Sequence, residues 1–219
     1  MSFAHELMDR AMPIWNQFLT HPFIQQLADG SLDKDGFKRY LIQDTLYLKY
    51  FSKVHAQAFI KCDDIEIMRE TYGGLKVIVA DESYMHIRYL RDLGCSEKEA
   101  LSTPLAPECQ AYVDFMMKTA IEGSVAEGLI SLMPCTFSYH FIAKHIYEKA
   151  VALGTIEDNY YSDWICDYLG SAYVGMYNSN INLCNRIACD LSDTEKERLF
   201  EIFIKSSEYE LAFWNIGIQ

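Results

Sequence analysis

The sequence predicts an all-α fold, a multi-helix bundle in one domain that spans residues 1–219. Apolar residues recur at helical spacing along almost the whole chain, and the two-residue alternation typical of strands is absent. Half of the 219 residues are hydrophobic and only five are prolines, so long helices can surround one large core. No linker, internal repeat or low-complexity tract divides the chain.

Apolar periodicity and end signals together locate the individual helices. Gly94 and Gly154 follow long periodic runs, as glycines at helix C-termini do. Ser96–Glu99 and Ser192–Glu195 fit the capping box that begins a helix, and Pro22 marks a break. The predicted helices, with a short turn near 96–101, cover residues 2–19, 33–60, 64–92, 106–122, 124–153, 158–170, 171–190 and 193–216.

Charge and cysteine content restrict the class of protein. The net charge is −12, from 31 acidic and 19 basic residues, which argues against nucleic acid or an anionic membrane as a partner. The N-terminus carries acids and does not resemble a signal peptide, and no apolar run is long enough to predict a membrane span. Seven cysteines without a C-x-x-C pair favour reduced thiols in the cytoplasm.

Asp44 lies in an otherwise apolar and aromatic stripe of the second predicted helix. Tyr40, Tyr47, Leu48 and Phe51 share its face. A buried carboxylate without hydrogen-bond donors is destabilising by several kcal/mol. Two interpretations follow: a structural acid tied to a backbone amide or an arginine, or an anchor for the amino group and protonated nitrogen of an aromatic heterocycle.

Glu210 occupies a similar position in the last predicted helix. Phe203 and Phe213 lie on its face and Trp214 is adjacent. Such surroundings raise the pKa of a carboxyl group and suit it to proton transfer near neutral pH. The alternative is a partly exposed glutamate at a helix edge, while Glu208, on another face, is expected to be solvated.

Cys135 follows a proline inside a long predicted helix, in the stretch LMPCTFSYHFIA (132–143). Pro134 removes one helical hydrogen bond and crowds the carbonyl of Ile130, which is destabilising by about 3 kcal/mol. A kink there opens space within a bundle, and Cys135 points inward together with Tyr139. The alternative is an inert, buried cysteine beside an architectural proline.

Aromatic stripes and histidines indicate a functional site less strongly than Asp44, Glu210 and Cys135 do. Tyr112 and Tyr161 each lie in tyrosine-rich helical faces, which are more often core than cofactor site but indicate a pocket with a polar edge. Glu82 and His86 are spaced i, i+4, as a structural hydrogen-bonded pair would be. No E-x-x-H di-iron signature and no glycine-rich nucleotide fingerprint is present.

Taken in order, these segments resemble the TenA family, also called thiaminase II or aminopyrimidine aminohydrolase. The resemblance implies a haem-oxygenase-like helical bundle, assembly as a homotetramer, and no metal or organic cofactor. The resembling stretches are QDTLYLKYF (43–51), ESYMH (82–86), AYVDFM (111–116), LMPCTFSY (132–139), YYSDWICDY (160–168) and SSEYELAFW (206–214).

The resemblance also implies a role for each matching residue. Cys135 matches the nucleophile that attacks the electron-poor pyrimidine, and Glu210 matches the acid and base that serves the leaving group and water. Asp44 matches the acid that grips the amino group and ring nitrogen. The expected reaction is hydrolysis of 4-amino-5-aminomethyl-2-methylpyrimidine, of thiamin or of both, to the 5-hydroxymethyl pyrimidine, in thiamin salvage.

Four tyrosines complete the implied pocket. Tyr47 and Tyr112 match residues that stack on the pyrimidine, and Tyr139 and Tyr161 match hydroxyls near the thiol and the leaving group. The chain departs from the family pattern at Phe141 and Ala143, where glutamate and glycine are common.

Two other functions stay open at the level of sequence. A bundle of this kind can also host a di-metal oxidase, although the missing E-x-x-H pairs argue against it. A non-catalytic pyrimidine-binding or regulatory protein would use the same pocket without turnover. The sequence does not decide between thiamin and its degraded aminopyrimidine as substrate, because both share the ring.

Overall fold

The computed structural model of the chain describes residues 2–79 and 83–219. Within those ranges the ordered segments are helical and no strand occurs, which confirms the all-α fold class. The α-helices, followed by a short 3-10 helix at Trp214–Ile218, are α1 Phe3–Phe18, α2 Pro22–Asp29, α3 Lys34–Lys61, α4 Ile65–Val77, α5 Ser83–Asp92, α6 Glu97–Ser102, α7 Pro107–Glu122, α8 Val125–Leu153, α9 Ser162–Asp167, α10 Ser171–Ile187 and α11 Asp193–Phe213.

The structure refines the predicted helices at two places in the first half of the chain. Residues predicted as a break form α2. His21 caps its N-terminus by accepting a hydrogen bond from the backbone N–H of Phe23. The helix ends at Gly30, whose backbone is in the left-handed region (φ 78°). Within the helix predicted over 64–92, the described residues form α4, which passes into a π-helical turn at 78–79, and α5, which covers Ser83–Asp92.

Two predictions near the C-terminus also need correction. The segment predicted over 158–170 is helical only from Ser162 to Asp167, so Tyr161 lies at its N-cap rather than on a helical face. The last helix becomes 3-10 at Trp214.

Capping boxes predicted at Ser96 and Ser192 are both present, each with reciprocal hydrogen bonds to a glutamate three residues on.

The two longest helices, α3 and α8, form the centre of the bundle. Helix α8 packs against α2, α3, α7, α10 and α11, and α3 packs against α4, α5 and α7. Every residue of α8 from Gly128 to Tyr139 is buried. A helix enclosed on all sides in this way must be apolar around its whole circumference, and its few polar side chains face neighbouring helices rather than water.

Pro134 lies within the enclosed part of α8, and the helix continues through it from Val125 to Leu153. Pro134 therefore does not end the helix, although it lacks the N–H that would donate a helical hydrogen bond. Of the helices in the described ranges, none is long and apolar enough to cross a membrane.

Candidate active site

Asp44 projects from the middle of α3 into the core, and only 4% of its surface is exposed. One oxygen, Oδ2, accepts a hydrogen bond from the Tyr40 hydroxyl at 3.0 Å and lies 2.7 Å from Nε2 of His86, a fully buried residue of α5. The other oxygen, Oδ1, makes no hydrogen bond to any described residue. The donors are thus a tyrosine and a histidine, rather than the backbone amide or arginine of the structural interpretation.

A chain of hydroxyls connects Asp44 to Tyr139. The Tyr40 and Tyr139 oxygens lie 3.0 Å apart. Because the single hydroxyl proton of Tyr40 is donated to Asp44, Tyr139 donates its proton to Tyr40. Burial, reinforced by the charge of Asp44, raises the pKa of both tyrosines well above the ordinary value, so both stay protonated. The Tyr139 oxygen therefore offers only lone pairs to further partners.

Cys135 lies one helical turn before Tyr139 on α8 and is 8% exposed. Four tyrosines lie near enough to Cys135 for a negative charge on its sulfur to raise their pKa, in addition to the larger effect of burial. They are Tyr40, Tyr47, Tyr112 and Tyr139. Most of the tyrosines predicted for the site are thus brought to the predicted nucleophile.

Glu210, on α11, closes the same cluster and is only 2% exposed, so the interpretation of a partly exposed edge residue is wrong. The Tyr112 hydroxyl donates to its Oε1 at 2.8 Å. Burial raises the pKa of Glu210 to about 8, with a further contribution from the charge of Asp44 and an opposing one from the Tyr112 hydrogen bond. The carboxyl group is therefore largely protonated at neutral pH and available as a proton donor.

Tyr47 and Tyr112 pack against each other in the same cluster and form an aromatic wall. Their ring centroids are 5.0 Å apart, and Tyr47 also contacts Phe213 edge-on at 5.8 Å. The buried Tyr47 hydroxyl makes no hydrogen bond of ordinary geometry to a described residue, although it is near enough to that of Tyr112 to influence its pKa. A buried hydroxyl in this state is a candidate ligand contact.

Tyr161 lies apart from this cluster, contrary to the expectation that its hydroxyl lies near the thiol and the leaving group. Its hydroxyl donates to the carbonyl oxygen of Leu32, and burial with nearby Tyr160 and Asp33 raises its pKa to about 12. Tyr161 and Tyr168 are the N-cap and the C-cap of α9. The ring of Tyr168 contacts that of Tyr139, with centroids 5.0 Å apart.

Two residues of the site were not predicted as such, namely Tyr40 and His86. Spacing places Tyr40 one turn before Asp44, so its contact could have been found from the sequence. His86 was assigned to Glu82, which lies outside the described residues, whereas the structure places its Nε2 on Asp44. The two departures from the family pattern lie elsewhere: Phe141 packs on Trp15 at 5.6 Å, and Ala143 is fully buried.

Beyond Cys135, a small cavity separates α3, α4, α8 and α10. The lining combines apolar side chains with several uncharged polar ones. Its residues are Leu48, Phe51, His55, Gly74, Ile78, Cys135, Thr136, Tyr173, Met176 and Asn180. In the described ranges, no group of three or more His, Cys, Asp or Glu side chains is placed to hold a metal ion.

Comparison with known proteins identifies the family. A family model described as TENA/THI-4/PQQC matches residues 8–219. The chain belongs to the TENA/THI-4/PQQC family. It is 33% identical to a protein of Helicobacter pylori named aminopyrimidine aminohydrolase, over 100% of both chains. A protein of the same name from Halalkalibacterium halodurans is 32% identical over 99% of this chain and 96% of its own.

Solved structures place this member of the TENA/THI-4/PQQC family in the expected fold. A TenA homologue from P. horikoshii OT3 superposes with a TM-score of 0.88 at 29% identity, covering 99% of this chain and 98% of that one. A protein from Shewanella denitrificans OS217, described as having a heme oxygenase-like fold, gives a TM-score of 0.78 at 14% identity, covering 98% and 91%. The haem-oxygenase-like class is thereby confirmed.

Proposed function

We propose that this protein is an aminopyrimidine aminohydrolase, which replaces the amine on the exocyclic methylene of a thiamin-derived pyrimidine with a hydroxyl group. The observation that carries the proposal is the meeting of Asp44, Cys135 and Glu210, from three different helices, in one buried cluster of tyrosines. Relatives of that name, similar along the whole chain, support it.

The substrate ring would be held by Asp44 and the aromatic wall. The Oδ1 atom is available to accept from the amino group, while Tyr40 and His86 fix Oδ2. Stacking against Tyr47 or Tyr112 suits a flat heterocycle. Together these side chains offer one carboxylate acceptor, several hydroxyls and aromatic surface, a set of groups that is complementary to a 4-aminopyrimidine.

The first half of the reaction adds the thiol to the ring. The S–H of Cys135 adds across a ring C=N bond, with sulfur on carbon and the proton on nitrogen. The adduct then expels the amine, which leaves with the electron pair of its C–N bond and takes a proton from Glu210. Because the pKa of Glu210 is raised to about 8, the carboxyl group holds that proton at neutral pH.

The second half returns the enzyme to its starting state. Water adds to the exocyclic methylene carbon and gives a proton to the Glu210 carboxylate. The sulfur of Cys135 then leaves with its electron pair and takes back the proton from the ring nitrogen, so the ring regains aromaticity. The net change is one amine replaced by one hydroxyl group, with water consumed and amine released.

Removal of the thiol tests this proposal. Cys135→Ala is expected to abolish turnover of 4-amino-5-aminomethyl-2-methylpyrimidine, measured by product mass, while still binding the hydroxymethyl product in calorimetry. Cys184→Ala is the matched control, because Cys184 is also buried in the core but lies on α10. If Cys135→Ala turns over the substrate at the wild-type rate, Cys135 is not the nucleophile. If the unmodified protein binds the pyrimidine but forms no product, it is a non-catalytic pyrimidine-binding protein.

We also propose a homotetramer that works in the cytoplasm. Large apolar side chains remain exposed at the ends of α3 and α7, where Ile60 is 77% and Ile121 is 55% exposed, as expected of surfaces covered by another subunit. No disulfide joins the cysteines of the described residues, in keeping with a reducing compartment. Sedimentation equilibrium tests the tetramer, and a monomeric mass would exclude it.

A further inference from the structure

The reacting groups of the proposed site are closed off from water. Asp44, Cys135 and Glu210 are 4%, 8% and 2% exposed. The cavity that Cys135 lines has a volume of about 10 Å³, which is room for about one water molecule. A pyrimidine ring cannot pass through such a space. Part of the surrounding structure must therefore move whenever a substrate binds or a product leaves.

The cavity at Cys135 lies behind an open groove between α4 and α10. The groove has a volume of about 300 Å³. Gly74, Met176 and Asn180 line both the groove and the cavity, so these three residues form the partition between them. An opening in this partition would connect the groove to the thiol.

Helix α4 is the weakly held side of the partition. Of its residues, Ile65–Val77, all of which the structure describes, Thr71 alone is buried. The Thr71 hydroxyl is enclosed and has no hydrogen-bond partner among the described residues. Helix α10, in contrast, is anchored in the core by Leu183, Cys184 and Ile187. An element with few buried contacts separates from a protein at a lower free-energy cost than the core does, so α4 is expected to move before α10.

Two adjacent glycines lie in α4 where it covers the cavity. A Cβ at Gly74 would lie 3.2 Å from Cε1 of His55, so the missing side chain lets α4 approach α3 closely. A Cβ at Gly73 would meet no atom within 4 Å, so packing does not require a glycine there. Glycine inside a helix weakens it and gives the backbone freedom to bend. The effect of Gly73 is thus a flexible point beside the partition.

An ion pair joins α4 to α10 across the groove. Nε of Arg186 lies 3.2 Å from Oε1 of Glu70, and Glu70 lines the groove. The two side chains are 47% and 28% exposed, so water and salt weaken the attraction between them. The pair therefore favours the closed arrangement but is weak enough to break when the helices separate.

We propose that α4 is the gate of the active site. It bends at Gly73 and Gly74 and moves away from α10 with loss of the ion pair between Arg186 and Glu70. The groove then joins the cavity, and the pyrimidine reaches Cys135 between these two helices. This inference rests on the proposed function only for the identity of the ligand that passes.

Alkylation of Cys135 by iodoacetamide measures the opening of the gate without any pyrimidine. The rate is obtained by mass spectrometry of the peptide that carries Cys135. Gly73→Ala adds a methyl group that meets no atom and makes α4 a more stable helix. We expect it to slow the alkylation of Cys135 about two- to fivefold.

The matched control is Gly175→Ala on α10, where a Cβ also meets no atom within 4 Å. It should leave the alkylation rate of Cys135 unchanged. Cys184 is fully buried and reports global unfolding in the same digest. It should react far more slowly than Cys135, and both glycine variants should slow it alike, because each stabilises the fold.

Removal of the ion pair tests the gate in the opposite direction. Glu70→Ala should speed the alkylation of Cys135 by up to about fivefold, because the closed arrangement loses the attraction of Arg186. This variant shortens an exposed side chain in a helix and introduces a good helix former, so the fold is expected to persist.

Binding kinetics test whether the pyrimidine takes the same path. In the Cys135→Ala background, stopped flow measures association and dissociation of the hydroxymethyl pyrimidine. The signal is the fluorescence of Trp214, which stacks on Tyr40 with centroids 5.5 Å apart. Gly73→Ala should slow both rates by the same two- to fivefold and leave the dissociation constant unchanged, because a gate alters passage and not the bound state.

An unchanged alkylation rate in Gly73→Ala, or equal slowing in Gly175→Ala, would overturn the gate. Slower alkylation with unchanged binding rates would show that the pyrimidine enters elsewhere, which also refutes the proposal. Failure of the proposed function is distinguishable from these results. A protein that forms no product can still show gated alkylation of Cys135, whereas intact turnover with ungated alkylation refutes only the gate.

Discussion

His86 on α5 lies 2.7 Å from Asp44 on α3, and both side chains are removed from water. An ionised carboxylate only accepts hydrogen bonds, so Nε2 carries the proton of this pair. Together with Tyr40, His86 binds a single oxygen of Asp44 and leaves the other without a partner among the described residues. The carboxylate is thereby oriented before any ligand arrives, which lowers the entropic cost of binding.

Replacement of His86 tests this orientation. His86→Asn is expected to weaken binding of the hydroxymethyl pyrimidine about tenfold or more, because a hydrogen bond to a charged group contributes about 1.5–3 kcal/mol. Calorimetry measures the affinity, and a ligand without the 4-amino group should lose less. The control is His145→Asn, at a half-buried position of α8 ten residues beyond Cys135. Unchanged discrimination between the two ligands would mean that His86 only stabilises the fold.

The raised pKa of Glu210 predicts the pH dependence of the reaction. If the protonated carboxyl group serves the leaving amine, kcat/KM falls as the pH rises through about 8, where Glu210 loses its proton. Glu210→Gln should lower kcat by about 10²–10⁴-fold and remove that limb of the profile. Glu208→Gln, on the exposed face of α11, should keep the wild-type profile. A limb near pH 8 that persists in Glu210→Gln would assign it to another group.

The same carboxyl group makes stability depend on pH. An unfolded glutamate releases its proton near its usual pKa of 4.5, while folded Glu210 retains it until about pH 8. Between those values the folded state binds more protons, so the free energy of unfolding falls as pH rises. Glu210→Gln cannot ionise and should lack this decline. Urea unfolding measures the free energy of unfolding of the wild type and of Glu210→Gln between pH 4.5 and 8. The variant should become more stable relative to the wild type as the pH rises. A difference that stays constant with pH would contradict the raised pKa of Glu210.

Spacing along a single helix was enough to predict much of the site. Asp44, Cys135 and Glu210 each lie in long periodic segments, so the inward face could be identified from the sequence. The pairing of Asp44 with His86 could not be predicted in this way, because it joins side chains that are 42 residues apart on separate helices. Periodicity specifies which way a side chain points and leaves its partner across the core to tertiary packing.

Short helices were harder to predict than long ones. Helix α2 has only eight residues, between Pro22 and Gly30, and such a segment is too brief for apolar periodicity to distinguish from a loop. Helix α9 has only six residues and was predicted too long, so Tyr161 was predicted to lie on its face. Because Tyr161 and Tyr168 both cap the short helix, helical spacing could not decide which of them contacts the site.

The two tyrosines that cap α9 provide a direct comparison. Tyr168→Phe is expected to impair turnover or substrate affinity, because it removes a buried hydroxyl from the ring that packs on Tyr139, with centroids 5.0 Å apart. Tyr161→Phe should leave kcat and KM near wild type and lower the free energy of unfolding by about 1 kcal/mol, because its hydroxyl would no longer donate to Leu32. Steady-state kinetics and urea unfolding of both variants measure these effects. Loss of kcat in Tyr161→Phe with Tyr168→Phe fully active would restore the original assignment of Tyr161 to the site.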